Sequence, residues 1–471
     1  MNWDEYAEWA GRIGTWGADY HKGLRHRPVR AQTRPGEIAA QLPESPPEGP
    51  APMEDIFADI DRIVMPGITH WQHPRFFAYF PSNAAPPSML ADQVTSVLAA
   101  QCMLWQTSPA ATEVETKVLD WLRQGLGLPE GFAGVIQDSA SSATLAAVLT
   151  MRERALNFEG NRKGLAQGPV LRIYCSAEVH SSIDKAIWVA GIGQDNLVKV
   201  PITPGDPLRG IDTGALRAAI EADKAAGFVP AGVIACVGGT GTGATDNVAA
   251  VMDVAEAFDL FTHVDAAWAG SAMLCPEFRT LWDGVDRAHS VVMNPHKWLG
   301  TNFDLSAHFL RTPDDLVRTL AIQPEYLKTH GADGIINYSE WSIPLGRRFR
   351  ALKLWFLIRG YGMEGLRTRL RNHVTWVQGL CEQLRAEPGV EIVTEPILAL
   401  FTFRYGTDDA FNLDLVNAIN DDGRIYLTQT KVDGVTAIRF TGCQFDATRE
   451  DVETAFGVIT EIAAAIGEGA Q

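Results

Sequence analysis

Six cysteines in 471 residues are too few and too scattered to build a disulfide framework. Cys102, Cys175, Cys236, Cys275, Cys381 and Cys443 form no CxxC pair and no cysteine/histidine pattern with metal-ligand spacing. They read as buried or incidental thiols of a reducing compartment, and no metal is expected. Basic residues are also in short supply. Lys+Arg 40 against Asp+Glu 57 leaves a formal charge of −17, which argues against nucleic acid or an anionic membrane as the main partner. No apolar run is long and charge-free enough to span a bilayer. The opening Met1-Asn2-Trp3-Asp4-Glu5 has neither the basic region nor the apolar core of a signal peptide, so a cytoplasmic location is expected. What is there, at 46% hydrophobic and 21% charged, suits a globular chain of two or three domains.

Residues 1–40 read as helix anchored by Trp3, Tyr6, Trp9, Trp16 and Tyr20. Repeated prolines make 42–50 an extended connector, and a further helix is expected from about Met53 to Ile63. From about residue 90 to 310, helical patterns alternate with short apolar runs at 134–136, 170–174, 233–236, 261–264 and 290–293. This alternation predicts a mostly parallel sheet covered by helices. A long helix then runs from Phe349 to about Arg385. The tail reads strand, helix, strand, strand, helix over 398–405, 413–419, 425–428, 436–440 and 450–466, as in a separate α+β domain. The expected division is an N-terminal helical segment over 1–85, a large domain over 86–350 and a small domain over 351–471.

Two of the apolar runs end in chemistry-bearing residues. One gives Phe261-Thr262-His263-Val264-Asp265, and the other leads into Asn294-Pro295-His296-Lys297-Trp298. A lysine and an aspartate at the ends of neighbouring strands are what pyridoxal phosphate (PLP) requires. The amine forms a Schiff base with the cofactor aldehyde, and the carboxylate keeps the pyridine nitrogen protonated. Three more strand ends fit the same cofactor. Gln137-Asp138-Ser139-Ala140-Ser141-Ser142 opens a helix and suits a phosphate cup. His180 follows the run at 170–174 and suits a ring-stacking imidazole. Gly238-Gly239-Thr240-Gly241-Thr242-Gly243 allows close backbone approach with hydroxyls in reach. Each has a plainer explanation: N-capping, a structural histidine, a common turn, a solvent-facing lysine. Their order along the chain is the stronger signal.

That order, with its flanking stretches, resembles the group II PLP-dependent decarboxylases, and among them the aromatic-L-amino-acid decarboxylase branch. The resemblance rests on 66–71 (Pro-Gly-Ile-Thr-His-Trp), 76–81 (Phe-Phe-Ala-Tyr-Phe-Pro), Met89-Leu90-Ala91-Asp92 and 108–113 (Ser-Pro-Ala-Ala-Thr-Glu). It continues through 263–271, 294–298 and 344–350. It implies an α/β fold of fold type I, the aspartate aminotransferase-like class, with a swapped N-terminal segment and a homodimer sharing its active sites. Lys297 then corresponds to the Schiff-base lysine, Asp265 to the pyridinium partner, Ala267 to the small residue on one ring face and His180 to the stacker on the other. Ser139, Ala140, Ser141, Thr240, Asn294 and His296 match positions at or near the phosphate. Trp71, Tyr79, Phe80, Pro81 and Ser82 match the substrate-pocket stretch. Two positions depart from the family. Asp138 puts a carboxylate where members have a small or neutral residue, a repulsive neighbour for a phosphate unless it points away or pairs. Met103 stands where animal members place a phenylalanine facing the neighbouring subunit's substrate.

Within PLP chemistry, the protein selects the reaction by orienting one bond at Cα. An aminotransferase pins the substrate carboxylate with an arginine; Arg439 is the candidate, and a structural salt bridge is the plainer role for it. A decarboxylase needs a late proton donor, and 325–342 reads as a lid with Gly331 and Gly334 as flexible points. Tyr338 within it aligns with the family's loop tyrosine, against the plainer reading of an exposed loop residue. Related aldehyde synthases lose that tyrosine or the histidine, whereas this chain keeps both. The expected activity is therefore decarboxylation of an aromatic L-amino acid (tryptophan, phenylalanine, tyrosine, Dopa or 5-hydroxytryptophan) to its amine. The alternatives are an aromatic aldehyde synthase, a decarboxylase of non-aromatic amino acids, and a degenerate binding protein.

Overall fold

The computed structural model describes residues 1–322 and 334–469. It divides into two compact units. One holds Ser82–Thr375 and Thr394–Phe401, and the other Met1–Pro81, Trp376–Val393 and Thr402–Gln471. The larger unit is built on seven strands: β1 (Ala133–Gln137), β2 (Leu171–Ser176), β3 (Leu197–Val200), β4 (Val229–Cys236), β5 (Phe261–Asp265), β6 (Ser290–Met293) and β7 (Ser306–Leu310). Their order is β1-β7-β6-β5-β4-β2-β3. Neighbours are parallel except for β7, which runs antiparallel to both β6 and β1. The sheet is thus mostly parallel, with helices on its connections, in agreement with the predicted alternation. Every residue of β5, β6 and β7 is buried, as expected for strands covered on both faces.

The sequence reading overlooked β3 and β7. β3 is a four-residue edge strand interrupted by Lys199. β7 hides its signal behind Ser306 and His308, both fully buried. The His308 ring meets the Ser290 hydroxyl at 2.7 Å, and that hydroxyl meets His263 at 2.8 Å, so a polar chain replaces apolar packing between three central strands. Burial pushes both imidazoles well below their ordinary value, and they remain neutral.

The smaller unit joins the N-terminal residues to most of the C-terminal ones, where the sequence suggested separate segments. Its sheet has the order β10-β11-β9-β8, from β8 (Val390–Ile397), β9 (Leu400–Tyr405), β10 (Thr428–Val432) and β11 (Val435–Thr441). The unexpected strand is β8, whose two glutamates and proline mask its alternation. The chain near residue 77 is stitched to this sheet. The Phe77 amide donates to Tyr426, the Thr441 amide donates to Phe77, and the Phe77 and Phe440 rings stack at 4.4 Å. Helix Trp3–Gly23 is well capped by an Asn2/Glu5 capping box yet buries none of its residues. Helical chain runs over Ala351–Ala386 and is broken at Gly362 (φ 64°).

Candidate active site

β1, β2, β4, β5 and β6 all end at one edge of the larger sheet, and the residues expected to hold the cofactor follow those ends. A sheet of this kind binds ligands outside its carboxyl ends, where loops diverge. The turns after β5 and β6 are laddered together. The Ala266 amide donates to Val292 at 3.0 Å and the Asn294 amide to Ala267 at 2.9 Å, which brings Asp265 beside the Lys297 turn. Trp268 and Trp298, fully buried, stack at 5.1 Å and 12° to lock these turns. The sequence showed both tryptophans in its motifs but gave no reason to pair them.

Asp265 lies at the buried end of β5, where its Oδ1 accepts the Ala267 amide at 3.1 Å. Lys297 is half-buried in a turn that departs from helical geometry at that residue (φ −94°, ψ −107°). Its carbonyl accepts from Asn83 at 2.8 Å. Asn83 was missed by sequence reasoning, although it directly follows the recognised Pro81-Ser82. His296, next to Lys297, accepts the Leu305 amide on Nδ1 at 2.9 Å; burial and the Lys297 charge push its pKa down to about 3. Asn294 is held by the Ser306 hydroxyl at 2.5 Å.

His180 is drawn into the same cluster. Burial and the Lys297 ammonium lower its pKa, while the Asp265 carboxylate opposes them, so the imidazole feels both charges. The Ser182 amide donates to Nδ1 at 3.1 Å. A backbone amide only donates, so the neutral ring carries its proton on Nε2. The loop after β4 approaches from the next strand end. Gly238 adopts φ +84°, and a Cβ there would fall 2.5 Å from Ala269, so only glycine fits. Thr240 follows, half-buried.

Ser139 caps helix Ala140–Ala155, its hydroxyl accepting the Ser142 amide at 3.2 Å. The first amides of the helix, at Ala140 and Ser141, have no intrahelical acceptor and lie where the dipole favours an anion. Asp138 Oδ1 accepts the Ser139 hydroxyl at 3.3 Å, a neutral partner that leaves the carboxylate charge in place beside the helix start. These features fit PLP: a phosphate-suited helix start, an amine beside a carboxylate, and a neutral imidazole near both.

Residues 35–406 match the profile described as "Pyridoxal-dependent decarboxylase conserved domain". The chain belongs to this family. The enzyme is 38% identical to an aromatic-L-amino-acid decarboxylase of Sus scrofa over 98% of its own length and 97% of that protein's. It is 38% identical to a phenylacetaldehyde synthase of Arabidopsis thaliana over 90% of its length and 88% of the relative's. Its structure superposes on that of Oryza sativa TDC with PLP and tryptamine at a TM-score of 0.95, with 34% identity and 99% of each chain covered. The fold is therefore that of the PLP-dependent decarboxylases, the cofactor is PLP, and the enzyme is a carboxy-lyase.

Trp71, Tyr79, Phe80 and Pro81 belong to the smaller unit, while Ser82 and Met103 belong to the larger. There Trp71 and Tyr79 stack at 5.8 Å and remain exposed by 39% and 47%, beside Phe76 and Tyr426. Arg439 is buried; it donates to the Tyr79 carbonyl at 2.6 Å and lies over the Phe80 ring, so it braces this aromatic stretch. Burial lowers its pKa to about 9. Met103 is half-buried, its carbonyl accepting the Ser339 amide at 3.0 Å.

Tyr338 requires a correction. Its side chain is 2% exposed, and its ring packs on Trp341 with Val135, Ala146 and Leu310. Its hydroxyl meets Thr116 at 2.9 Å, and its pKa is pushed up by burial and by Glu115. A phenol enclosed in this way and bonded to Thr116 is held in the packing around β1 and is not the exposed lid residue its sequence context suggests. Gly334 is described; Gly331 and the earlier part of the lid lie outside the described residues.

Proposed function

We propose that this enzyme converts an aromatic L-amino acid to its amine and CO₂, with Lys297, Asp265 and His180 as the working residues. The observation that carries the reading is the pair of backbone hydrogen bonds, Ala266 to Val292 and Asn294 to Ala267, that sets Asp265 beside the Lys297 turn at one sheet edge. PLP, when bound, takes up the electron pair that departing CO₂ leaves at Cα. Lys297 Nζ would supply the amine for covalent attachment, and Asp265, whose Oδ1 holds the Ala267 amide, would keep the ring nitrogen protonated. His180 would stack on the ring with its Nε2 proton available as a donor, and Ala267 would be the small residue on the other face. Ser139, Ala140, Ser141, Thr240, Asn294 and His296 would hold the phosphate.

The aromatic substrate is supported by the exposed Trp71–Tyr79 stack and by the relatives' named activities. Phe80, Pro81 and Ser82 follow in the same stretch and are read with them as substrate contacts. We assign a homodimer that shares its sites, with Met103 facing the neighbour's substrate. Helix Trp3–Gly23 leaves Trp3, Tyr6 and Ile13 exposed, and Leu90, Val94, Val97 and Leu98 on helix Pro86–Leu98 are 40–66% exposed, an apolar load suited to a second copy. Six buried free cysteines suit a cytoplasmic location, and among the described residues no helix is long and apolar enough to cross a membrane.

The test is a panel of the twenty amino acids plus Dopa and 5-hydroxytryptophan, scored for CO₂, amine, aldehyde and peroxide. Amine from aromatic members alone is the expected result. Turnover confined to acidic or aliphatic substrates would overturn the aromatic assignment. Aldehyde with peroxide as the main product would favour the synthase reading that the Arabidopsis relative exemplifies.

A further inference from the structure

The loop carrying His180 and the loop carrying Thr240 leave different strands, and one side chain ties them together. Glu178, two residues before His180, accepts the Thr242 hydroxyl on Oε2 at 3.1 Å and the Arg209 guanidinium on Oε1 at 2.8 Å. Its amide is fastened to the Ser176 hydroxyl at the end of β2 at 3.1 Å. Its carbonyl lies 3.0 Å from where a Cβ on Gly239 would sit, so the two loops approach backbone to backbone. The Gly/Thr loop is otherwise closed on itself, with the amides of Gly238 and Gly239 both donating to Ala244. The neighbouring Leu208 carbonyl receives the Thr245 amide at 2.8 Å, which sets Arg209 against the far end of the same loop.

We propose that Glu178 is a positioning residue for the cofactor, a carboxylate clamp that holds His180 and Thr240 in mutual register. The proposal rests on the reading of those two residues as PLP contacts. A carboxylate is suited to the task because its two oxygens serve a guanidinium and a hydroxyl at once. A glutamine of equal size offers a single acceptor oxygen and no charge. Glu178 and Arg209 are partly shielded, at 21% and 11% side-chain exposure, so their pairing is not that of a freely solvated surface pair.

The experiment measures PLP dissociation from the holoenzyme for Glu178→Gln, Thr242→Val and the double variant, with hydrogen exchange on the PLP-free protein. Each single variant is expected to weaken PLP binding about tenfold, the scale of one charge-assisted hydrogen bond. The double variant should be no weaker than the worse single by more than about twofold, since both changes open one clamp. Exchange should quicken over 177–182 and 238–244 while 261–265 keeps its protection, a pattern that general destabilisation would not give. Both singles binding PLP within about twofold of the parent would overturn the proposal, as would effects that simply multiply in the double. Should Glu178→Gln fail to fold, Thr242→Val, which removes one hydroxyl, decides by the same criteria. Lys297→Ala is the control for the underlying reading: borohydride-trappable PLP in that variant would displace the site itself, a failure distinct from that of the clamp.

Discussion

Lys297 and Tyr338 both stand in stretches that match the family, yet the structure treats them oppositely. Around Lys297, buried strands stop side by side, and backbone hydrogen bonds from Ala266 to Val292 and from Asn294 to Ala267 set Asp265 beside the Lys297 turn. Around Tyr338 the charged partners are buried. The Arg347 guanidinium lies over its ring, donates to its carbonyl and pairs with Glu115 at 2.5 Å, both partners 3% exposed. Glu115 in turn accepts the Ile136 amide of β1 at 2.9 Å. The first region is arranged to act on something absent from the chain, whereas the second is complete in itself. A match to a motif locates a residue in the chain, but the groups packed around its side chain decide what that side chain can reach.

The comparison breaks most severely if the lysine region proves dispensable. Lys297→Ala should abolish decarboxylation and the visible absorbance of bound cofactor, because no other amine lies beside Asp265 among the described residues. Residual turnover in the purified variant, supplied with PLP, would dissolve the distinction. The structural region has its own strong test. Arg347→Met removes one partner of a buried pair and leaves the Glu115 carboxylate uncompensated, which costs about 3–5 kcal/mol of stability. Urea unfolding followed by tryptophan fluorescence should show that loss as a lower midpoint. A midpoint shift worth less than about 1 kcal/mol would mean that the Tyr338 region does not hold the fold as described.

Asp265→Asn sharpens the lysine side by keeping shape and removing charge. The variant should still attach PLP through Lys297 while losing roughly a hundredfold in rate, about 3 kcal/mol of transition-state stabilisation. Rapid decarboxylation with cofactor attached would take Asp265 out of the site.

The lysine region was legible because its signals are local: an apolar run, then a reactive residue, repeated at strand ends in a fixed order. The alternation from 90 to 310 likewise exposed the parallel sheet. What escaped depends on partners distant in sequence. β7 is buried through His308 and Ser290 rather than through apolar side chains, and β8 carries charges on a half-exposed face. The stacked tryptophans 268 and 298 and the Asn83 contact to Lys297 join chain segments that no periodicity links. Tyr338 escaped for the converse reason: its loop composition suggests exposure, while Thr116, Arg347 and Trp341 enclose it.

The smallest expected effect is the most discriminating. Tyr338→Phe deletes one hydroxyl whose partner is Thr116, so it should cost about 1 kcal/mol of stability and leave the ratio of amine to aldehyde unchanged. A late proton donor must reach the substrate in a closed, water-poor site, and a phenol already buried against Thr116 would have to abandon its packing on Trp341 and Val135 to do so. The stretch 325–342 contains a second tyrosine, Tyr326, outside the described residues, and Tyr326→Phe is the paired variant. Amine formation intact in Tyr338→Phe, with aldehyde and peroxide appearing in Tyr326→Phe, would keep Tyr338 on the structural side of the comparison. Aldehyde from Tyr338→Phe would show instead that the enclosed phenol leaves its pocket during turnover, and the line between the two regions would have to be redrawn through Thr116.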